Sequence, residues 1–159
     1  MEESQFEEER FFAAIAASGA RSLLIGRRAM IALGLPVMTR DYDFWVAADD
    51  AEAFNRAVAP LGLAPNRPPD EARKVGRYVL ENDEHVDVLV ARVVHTVDGQ
   101  PVAFDEVWTA RRELEVAPNV LVAVPSLDHL IATKRFGGRA RDADDIRMLE
   151  ELRAIEGAR

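Results

Sequence analysis

Residues 39–46, which read Thr-Arg-Asp-Tyr-Asp-Phe-Trp-Val, decide the fold of this chain. Their aromatic and β-branched residues favour a β-strand, in which successive side chains point to opposite faces of a sheet. Asp41 and Asp43 therefore project from the same face. The other face carries side chains that can be buried, namely Tyr42, Phe44 and Val46.

Two carboxylates on one strand face repel each other unless a cation lies between them. A hard cation such as Mg²⁺ prefers carboxylate oxygens, so the Asp-x-Asp pair predicts a metal site. The alternative is a solvated edge strand or a turn that happens to carry two acids, because the chain has 28 acidic residues.

The segment upstream strengthens the metal interpretation. Leu23–Ile25 is a short apolar run that ends at Gly26, and Arg27–Leu33 is a short helical segment closed by Gly34. A helix that begins behind a glycine turn presents unpaired backbone N–H groups, which bind phosphate. A phosphate-binding turn and a carboxylate pair would then lie on neighbouring strands.

A third acid follows in His85–Val90, which also has the pattern of a strand. Its valines share one face, and Asp87 projects from the other face. The alternative interpretation is an outward-facing Asp87 that pairs with Arg77 on the neighbouring strand.

These motifs resemble the signature of the nucleotidyltransferase fold, the DNA polymerase β-like superfamily, and most of all its small bacterial members of the abortive-infection and toxin–antitoxin type. The resemblance rests on Gly26-Arg-Arg-Ala, Gly34-Leu-Pro, Thr39-Arg and Asp41-Tyr-Asp. It extends to the C-terminal half through Pro125-Ser, Lys134 and Arg-Ala-Arg-Asp at residues 139–142. It implies an α+β (mixed α/β) fold: one domain over residues 1–159, with a small mixed sheet flanked by helices and with C-terminal helices.

The resemblance also implies the site. Its metal and catalytic residues would be Asp41, Asp43 and Asp87, holding Mg²⁺ or Mn²⁺ within reach of all three carboxylates, with Asp87 as base on the incoming hydroxyl. Its nucleotide-binding residues would be Gly26, Arg27, Lys134 and Arg141.

Three of these assignments have alternatives. Arg27 stands where the superfamily has a second small residue, so its guanidinium either binds phosphate or blocks the pocket. Lys134 is otherwise a solvated helix residue. Arg141, with Arg139 and Asp142, otherwise only ties the last helices together.

Composition fits one compact cytoplasmic domain. The chain has 159 residues, 48% of them hydrophobic, and contains no cysteine. It shows neither an apolar run of membrane-spanning length nor a leader peptide. The formal charge of −8 argues against general nucleic-acid binding, although cations can still cluster locally.

The remaining pattern predicts mixed elements. We expect a first helix from Ser4 to Ala17 and a third helix after Asp49 or Asp50. A proline-rich loop at 65–70, strands at 76–80 and 85–90, a helix at 104–113 and a hairpin at 114–124 should follow. Two C-terminal helices would flank Gly137-Gly138, the last one capped by Asp142.

The expected function is Mg²⁺-dependent transfer of a nucleoside monophosphate from a nucleoside triphosphate (NTP) to a hydroxyl of tRNA, a small molecule or a protein. A partner protein or a homodimer would complete so short a chain, for example in a toxin–antitoxin pair. The alternatives are an inactive binding or regulatory module with the same fold, and an unrelated α/β protein whose acids are solvated.

Overall fold

The computed structural model describes residues 7–158, so the predicted helix cap at Ser4 lies outside the described part of the chain. The elements in chain order are α1 (Glu8–Ala16), β1 (Ser22–Ile25), α2 (Gly26–Ala32), β2 (Tyr42–Val46), α3 (Ala51–Val58), β3 (Ala64–Pro65), α4 (Pro69–Val75), β4 (Arg77–Glu81), β5 (His85–Leu89), β6 (Val93–His95), β7 (Pro101–Ala103), α5 (Phe104–Thr109), β8 (Arg112–Ala117), β9 (Val120–Val124), α6 (Leu127–Lys134) and α7 (Ala140–Gly157). Short 3₁₀ turns at Ala48–Asp50 and Ala59–Leu61 flank α3.

The central sheet has five strands in the order β1-β2-β5-β4-β3. Strands β2 and β5 are parallel, and the other neighbours are antiparallel. Two small hairpins, β6–β7 and β8–β9, stand beside this sheet. The predicted small mixed sheet flanked by helices, with helices at the C-terminus, is confirmed.

The two faces of the central sheet pack into two different hydrophobic cores. Tyr42, Phe44 and Val46 are buried in a large core that also takes in residues of α1, α3, α6 and α7. Trp45, on the opposite face, lies in a second core with Phe104 and other residues of the α5 and β6–β7 region. The alternation in β2 places Asp43 on the Trp45 face. One end of that face is therefore covered, and the end that carries Asp43 borders a cleft.

Several sequence-based boundaries were wrong. The segment 65–70 is not all loop, because Pro69 begins α4, where its fixed φ and missing N–H are tolerated. The helix predicted at 104–113 ends at Thr109, because Arg112 already pairs with Val124 in the β8–β9 hairpin. The β6–β7 hairpin was not predicted.

The last helix begins one turn earlier than expected. Arg139 is its N-cap residue, and Asp142, predicted as the cap, occupies the third helical position and accepts a hydrogen bond from the Arg139 backbone N–H at 3.0 Å. Within residues 7–158, no helix has both the length and the apolar character that crossing a membrane requires.

Candidate active site

One cleft, with a volume of about 310 Å³, collects most of the predicted site residues. It lies between the central sheet and the C-terminal helices. Its charged lining residues are Asp41, Asp43, Arg77, Asp87, Lys134, Arg139 and Arg141, and Gly26 forms part of its wall. Of the predicted site residues, only Arg27 is not among those that line it.

The carboxylates of Asp43 and Asp87 owe their position to strand register. Asp43 on β2 is the direct parallel partner of Asp87 on β5. On its other side Asp43 is the antiparallel partner of Ile25, the residue before Gly26. The two acids therefore lie side by side on one face of the sheet, next to the start of α2.

Gly26 is required by the contact between its turn and Asp43. Its φ is +69°, a conformation that L side chains rarely adopt. A Cβ at this position would lie 2.5 Å from Asp43 Oδ2. The glycine thus lets the backbone at the start of α2 approach the Asp43 carboxylate closely.

The surroundings of Asp43 favour its protonated form. Burial, together with the negative charges of Asp87 and Asp41, raises the pKa of Asp43 to about 6, although Lys134 and Arg139 oppose the rise. A carboxylate held in this way gains from a nearby cation. The fully ionised acid cluster is therefore electrostatically unfavourable unless a further positive charge lies beside it.

Asp41 lies one residue before β2, on a loop tied to α2. Thr39 Oγ1 accepts a hydrogen bond from the Asp41 backbone N–H at 3.0 Å. Arg28 of α2 donates to the carbonyl oxygens of both Asp41 and Thr39 at 3.2 Å. These bonds hold the Asp41 backbone beside the glycine turn.

Asp87 has a close neighbour on its own strand. His85 Nε2 lies 3.1 Å from Asp87 Oδ1, and His85 Nδ1 lies 3.4 Å from Glu81. Partial desolvation opposes the histidine charge, but the carboxylates of Asp87 and Glu81 still raise the pKa of His85. The alternative partner suggested by the sequence, Arg77, lies across from Leu89 and makes no ion pair with Asp87.

The donor chemistry of this acid cluster fits a hard divalent cation. Carboxylate oxygens are the ligands that Mg²⁺ prefers, and it commonly takes one or two of them together with waters and substrate phosphates. In the described part of the chain, however, no three His, Asp or Glu side chains are arranged so that they could hold a metal ion. Asp41 and Asp43 with a substrate phosphate would suffice. A site with all three carboxylates on one ion stays a prediction.

Arg27 and Lys134 share a buried carboxylate that sequence reasoning missed. Arg27 donates through Nε and Nη2 to both oxygens of Asp145, at 3.1 and 3.0 Å. Lys134 Nζ donates to Asp145 Oδ2 at 2.8 Å. The Asp145 side chain has 0% exposure and that of Lys134 has 6%, so the solvated alternative for Lys134 is wrong. We call Arg27, Lys134 and Asp145 the buried triad.

The buried triad joins three elements behind the cleft. Its residues belong to α2, α6 and α7, and Arg27 also donates from Nη1 to the Met38 carbonyl oxygen at 3.1 Å. Although burial favours protonation of Asp145, hydrogen bonds from the two cations lower its pKa. The triad carries one net positive charge, and Lys134 brings that charge to the cleft wall.

Two further residues could not have been assigned from sequence. Asp145 looked like one more acid in a helix with several, and only the packing of α7 against α6 buries it. Arg77 was considered only as a partner for Asp87, yet it lines the cleft itself. The role of each residue depends on tertiary packing, which the sequence pattern does not reveal.

The fold described above is shared with nucleotidyltransferases of known structure. A Thermotoga maritima protein assigned as a nucleotidyltransferase (TM1012) superposes with a TM-score of 0.58 at 14% identity, over 96% of this chain and 91% of its own. The antibiotic-resistance factor ANT(2'')-Ia gives 0.61 at 15% identity, over 95% and 89%.

A third structure, the lincosamide antibiotic adenylyltransferase LnuA with bound lincomycin, gives a TM-score of 0.60 at 14% identity over 92% of this chain and 98% of its own. At these identities the likeness establishes the fold alone. No protein-family model matches the chain, and no curated protein matches it by sequence.

Proposed function

We propose that this protein is a Mg²⁺-dependent nucleotidyltransferase that moves a nucleoside monophosphate from an NTP to a hydroxyl acceptor. The observation that carries the proposal is the pairing of Asp43 with Asp87 in a cleft whose opposite wall is cationic. The fold shared with nucleotidyltransferases supports the same reaction class.

The three acids of the cleft have different roles, which follow from their positions. Asp41 and Asp43, next to the glycine turn, would hold the cation that accompanies the triphosphate. Mg²⁺, or Mn²⁺ with the same oxygen preference, would supply positive charge there against the charge that develops on the phosphates. Asp87 accepts the proton of the acceptor hydroxyl as that oxygen forms its bond to the α-phosphorus. The bond from the α-phosphorus to the bridging oxygen breaks, and pyrophosphate leaves.

The phosphates lie toward the start of α2 and the C-terminal helices. Gly26 allows backbone N–H groups to approach them, and Lys134 and Arg141 supply positive charge from the opposite wall. Arg27 acts behind this wall through the buried triad, because its three donor nitrogens are bonded to Asp145 and Met38. Positioning and electrostatics supply most of the rate, as in phosphoryl transfer generally.

The acceptor is a hydroxyl of a small molecule, a tRNA or a protein. The two neighbours named for antibiotics favour a small molecule. The formal charge of −8 disfavours tRNA. We place the protein in the cytoplasm, acting as one domain over residues 1–159, with a partner protein or a second copy completing its site, as in a toxin–antitoxin pair.

Transfer is tested with each α-³²P-labelled NTP and Mg²⁺, offered to pooled tRNA, hydroxylated antibiotics and a protein extract. Label should appear on one acceptor class with release of pyrophosphate. Asp87→Asn should lower the rate by about 100-fold or more, the usual contribution of a general base. Asp144→Asn, an exposed acid on α7, is the matched control and should keep full activity. Equal rates in both variants would contradict the assignment of Asp87.

Two observations favour the second candidate, an inactive binding or regulatory module. Asp87 lies within hydrogen-bonding distance of His85, and the described residues contain no ready three-ligand metal site. This module would bind NTP without transferring label to any acceptor. The same labelling experiment, combined with equilibrium binding of NTP, separates it from the enzyme.

A further inference from the structure

Arg77 occupies a distinctive place beside the acid cluster. It is the first residue of β4 and the direct antiparallel partner of Leu89 on β5. Leu89 lies two residues beyond Asp87, so Arg77 and Asp87 project from the same face of the sheet as diagonal neighbours. Such diagonal pairs are about 7–8 Å apart, close enough for a long side chain to reach the same ligand.

The Arg77 guanidinium has no acidic partner within residues 7–158, although it lines a cleft that contains three carboxylates. Lys134 and Arg139 of the cleft wall differ in this respect, whereas Arg141, on α7, has no acidic partner among the described residues either. Lys134 is bonded to Asp145, and Arg139 is bonded to Asp142. Arg77 is also exposed, so its donors are available to a ligand that enters the cleft.

Arg77 lies at the far side of the cleft from the glycine turn. Gly26 directly follows β1, and Arg77 belongs to β4, three positions away in the strand order β1-β2-β5-β4. Three strand spacings amount to about 14 Å. The acids Asp43 and Asp87 lie between these two ends. A triphosphate held at the Gly26 end therefore leaves Arg77 to meet the second substrate, on the side of Asp87.

We propose that Arg77 binds an anionic group of the acceptor, a phosphate or a carboxylate, next to the hydroxyl that Asp87 activates. The planar guanidinium suits bidentate binding of either anion. The same charge disfavours acceptors that present a cationic group there. This inference rests on the proposed function, because it takes the Gly26 end of the cleft as the NTP end.

Anion binding to the nucleotide-loaded protein tests this role. The protein is saturated with Mg²⁺ and an α,β-methylene NTP, whose blocked bond prevents transfer, and is titrated with inorganic phosphate and, separately, with acetate. The matched variants are Arg77→Gln and Arg56→Gln, since Arg56 is an exposed arginine on α3, outside the cleft lining.

The wild type should bind at least one of the two anions, and Arg77→Gln should weaken that binding about tenfold or more, the loss expected for one charged hydrogen bond. Arg56→Gln should bind like the wild type. The anion that binds more tightly identifies the group. Equal binding by all three proteins, or no binding of either anion by the wild type, would overturn the role of Arg77.

Failure of the proposed function gives a different result, in which the nucleotide analogue itself does not bind. The anion titrations without nucleotide then judge Arg77 separately. A loss confined to Arg77→Gln would support an anion site at Arg77, and no difference among the three proteins would overturn it.

Discussion

Asp43 is the carboxylate of this cleft whose pKa the fold clearly changes. Burial and the charges of Asp87 and Asp41 raise its pKa from 3.8 to about 6. Between these two values the folded protein holds a proton that the unfolded chain has lost. The free energy of unfolding therefore falls as pH rises from about 4 to 6, and it stays lower above that window.

We expect Asp43→Asn to remove this penalty in the metal-free protein. The variant should be more stable than the wild type at pH 7–8, by on the order of 1–2 kcal/mol, and the difference should disappear near pH 4. Urea unfolding of both proteins in EDTA across this pH range checks the sign. A variant that is less stable at pH 8, by about 3 kcal/mol or more, would mark Asp43 as one half of a buried structural pair instead.

The glycine turn gives a second expectation for a single residue. Gly26→Ala adds a Cβ 2.5 Å from Asp43 Oδ2 at a φ of +69°, so the carboxylate must move. The backbone strain alone costs about 1–2 kcal/mol. Gly99→Ala is the matched control, because Gly99 has a φ of +86° with open space around it. Both variants should lose stability, but only Gly26→Ala should weaken Mg²⁺–NTP binding, as measured by calorimetry. Equal NTP affinity in both variants would show that the turn does not support the site.

For single residues, the sequence predicts those positions that depend on the alternation of side chains along a strand. The alternation of side chains was enough to place Asp43 and Asp87 at one cleft, because each belongs to a strand with a buried opposite face. Asp41 reaches the same cleft from the loop just before β2. The alternation could not find Asp145 or Arg77. The burial of Asp145 depends on α7 packing against α6, and the importance of Arg77 depends on which strand follows β5 in the sheet.

At the scale of secondary-structure elements, the buried triad connects three helices behind the cleft. It ties α2 to both C-terminal helices through one carboxylate with no exposed surface. Asp145→Asn removes the negative charge and leaves Arg27 and Lys134 beside each other without a counter-charge. We expect the free energy of unfolding to fall by about 3–5 kcal/mol, the usual effect of breaking a buried pair by removing one partner.

Asp144→Asn, one residue away on the exposed side of α7, serves as the control for Asp145→Asn. Among residues 7–158 its carboxylate forms an ion pair only with the exposed Arg147, so its change should stay within about 0.5 kcal/mol. Urea denaturation of both variants at pH 7 makes the comparison. Similar small losses in the two variants would mean that the triad contributes little to holding the helices together.

The triad also revises what is expected of Arg27. From sequence, its guanidinium either bound phosphate or blocked the pocket. Because its donors are bonded to Asp145 and Met38, we expect Arg27→Gln to lower stability and to change NTP affinity only through Lys134. In the double variant Arg27→Gln/Lys134→Gln, NTP affinity should equal that of Lys134→Gln alone, as a double-mutant cycle by calorimetry would show. A further loss in the double variant would indicate direct phosphate contact by Arg27.

Helices and strands were predictable from sequence where the hydrophobic pattern extended over several consecutive residues. The strands β4, β5 and β9 have continuous apolar or alternating runs, and the structure contains them within one residue at each end. Strand β2 begins at Tyr42, three residues after the start of the predicted run at 39–46. The β6–β7 hairpin has three residues on each strand, too few to give a period. The proline-rich pattern predicts a loop at Pro69, but proline is also favoured at the first position of a helix, which Pro69 occupies in α4.

In the whole molecule, the cleft combines residues from three distant parts of the sequence. Gly26, Asp41 and Asp43 come from the first third, Arg77 and Asp87 from the middle, and Lys134 and Arg141 from the C-terminal helices. The long-range pairing of β2 with β5 is what brings the acids together. The order of the motifs along the chain was therefore enough to predict the fold. The ion pairs between these parts of the chain could be identified only from the structure.

The central claim is that the acids form a cation-dependent NTP site. Calorimetric titration of the wild type and Asp43→Asn with each NTP, in Mg²⁺ and in EDTA, tests it most directly. We predict that at least one NTP binds the wild type about tenfold or more tightly in Mg²⁺ than in EDTA, and that Asp43→Asn loses this difference. An NTP affinity that is the same in Mg²⁺ and EDTA, or the same Mg²⁺ dependence in both proteins, would contradict it.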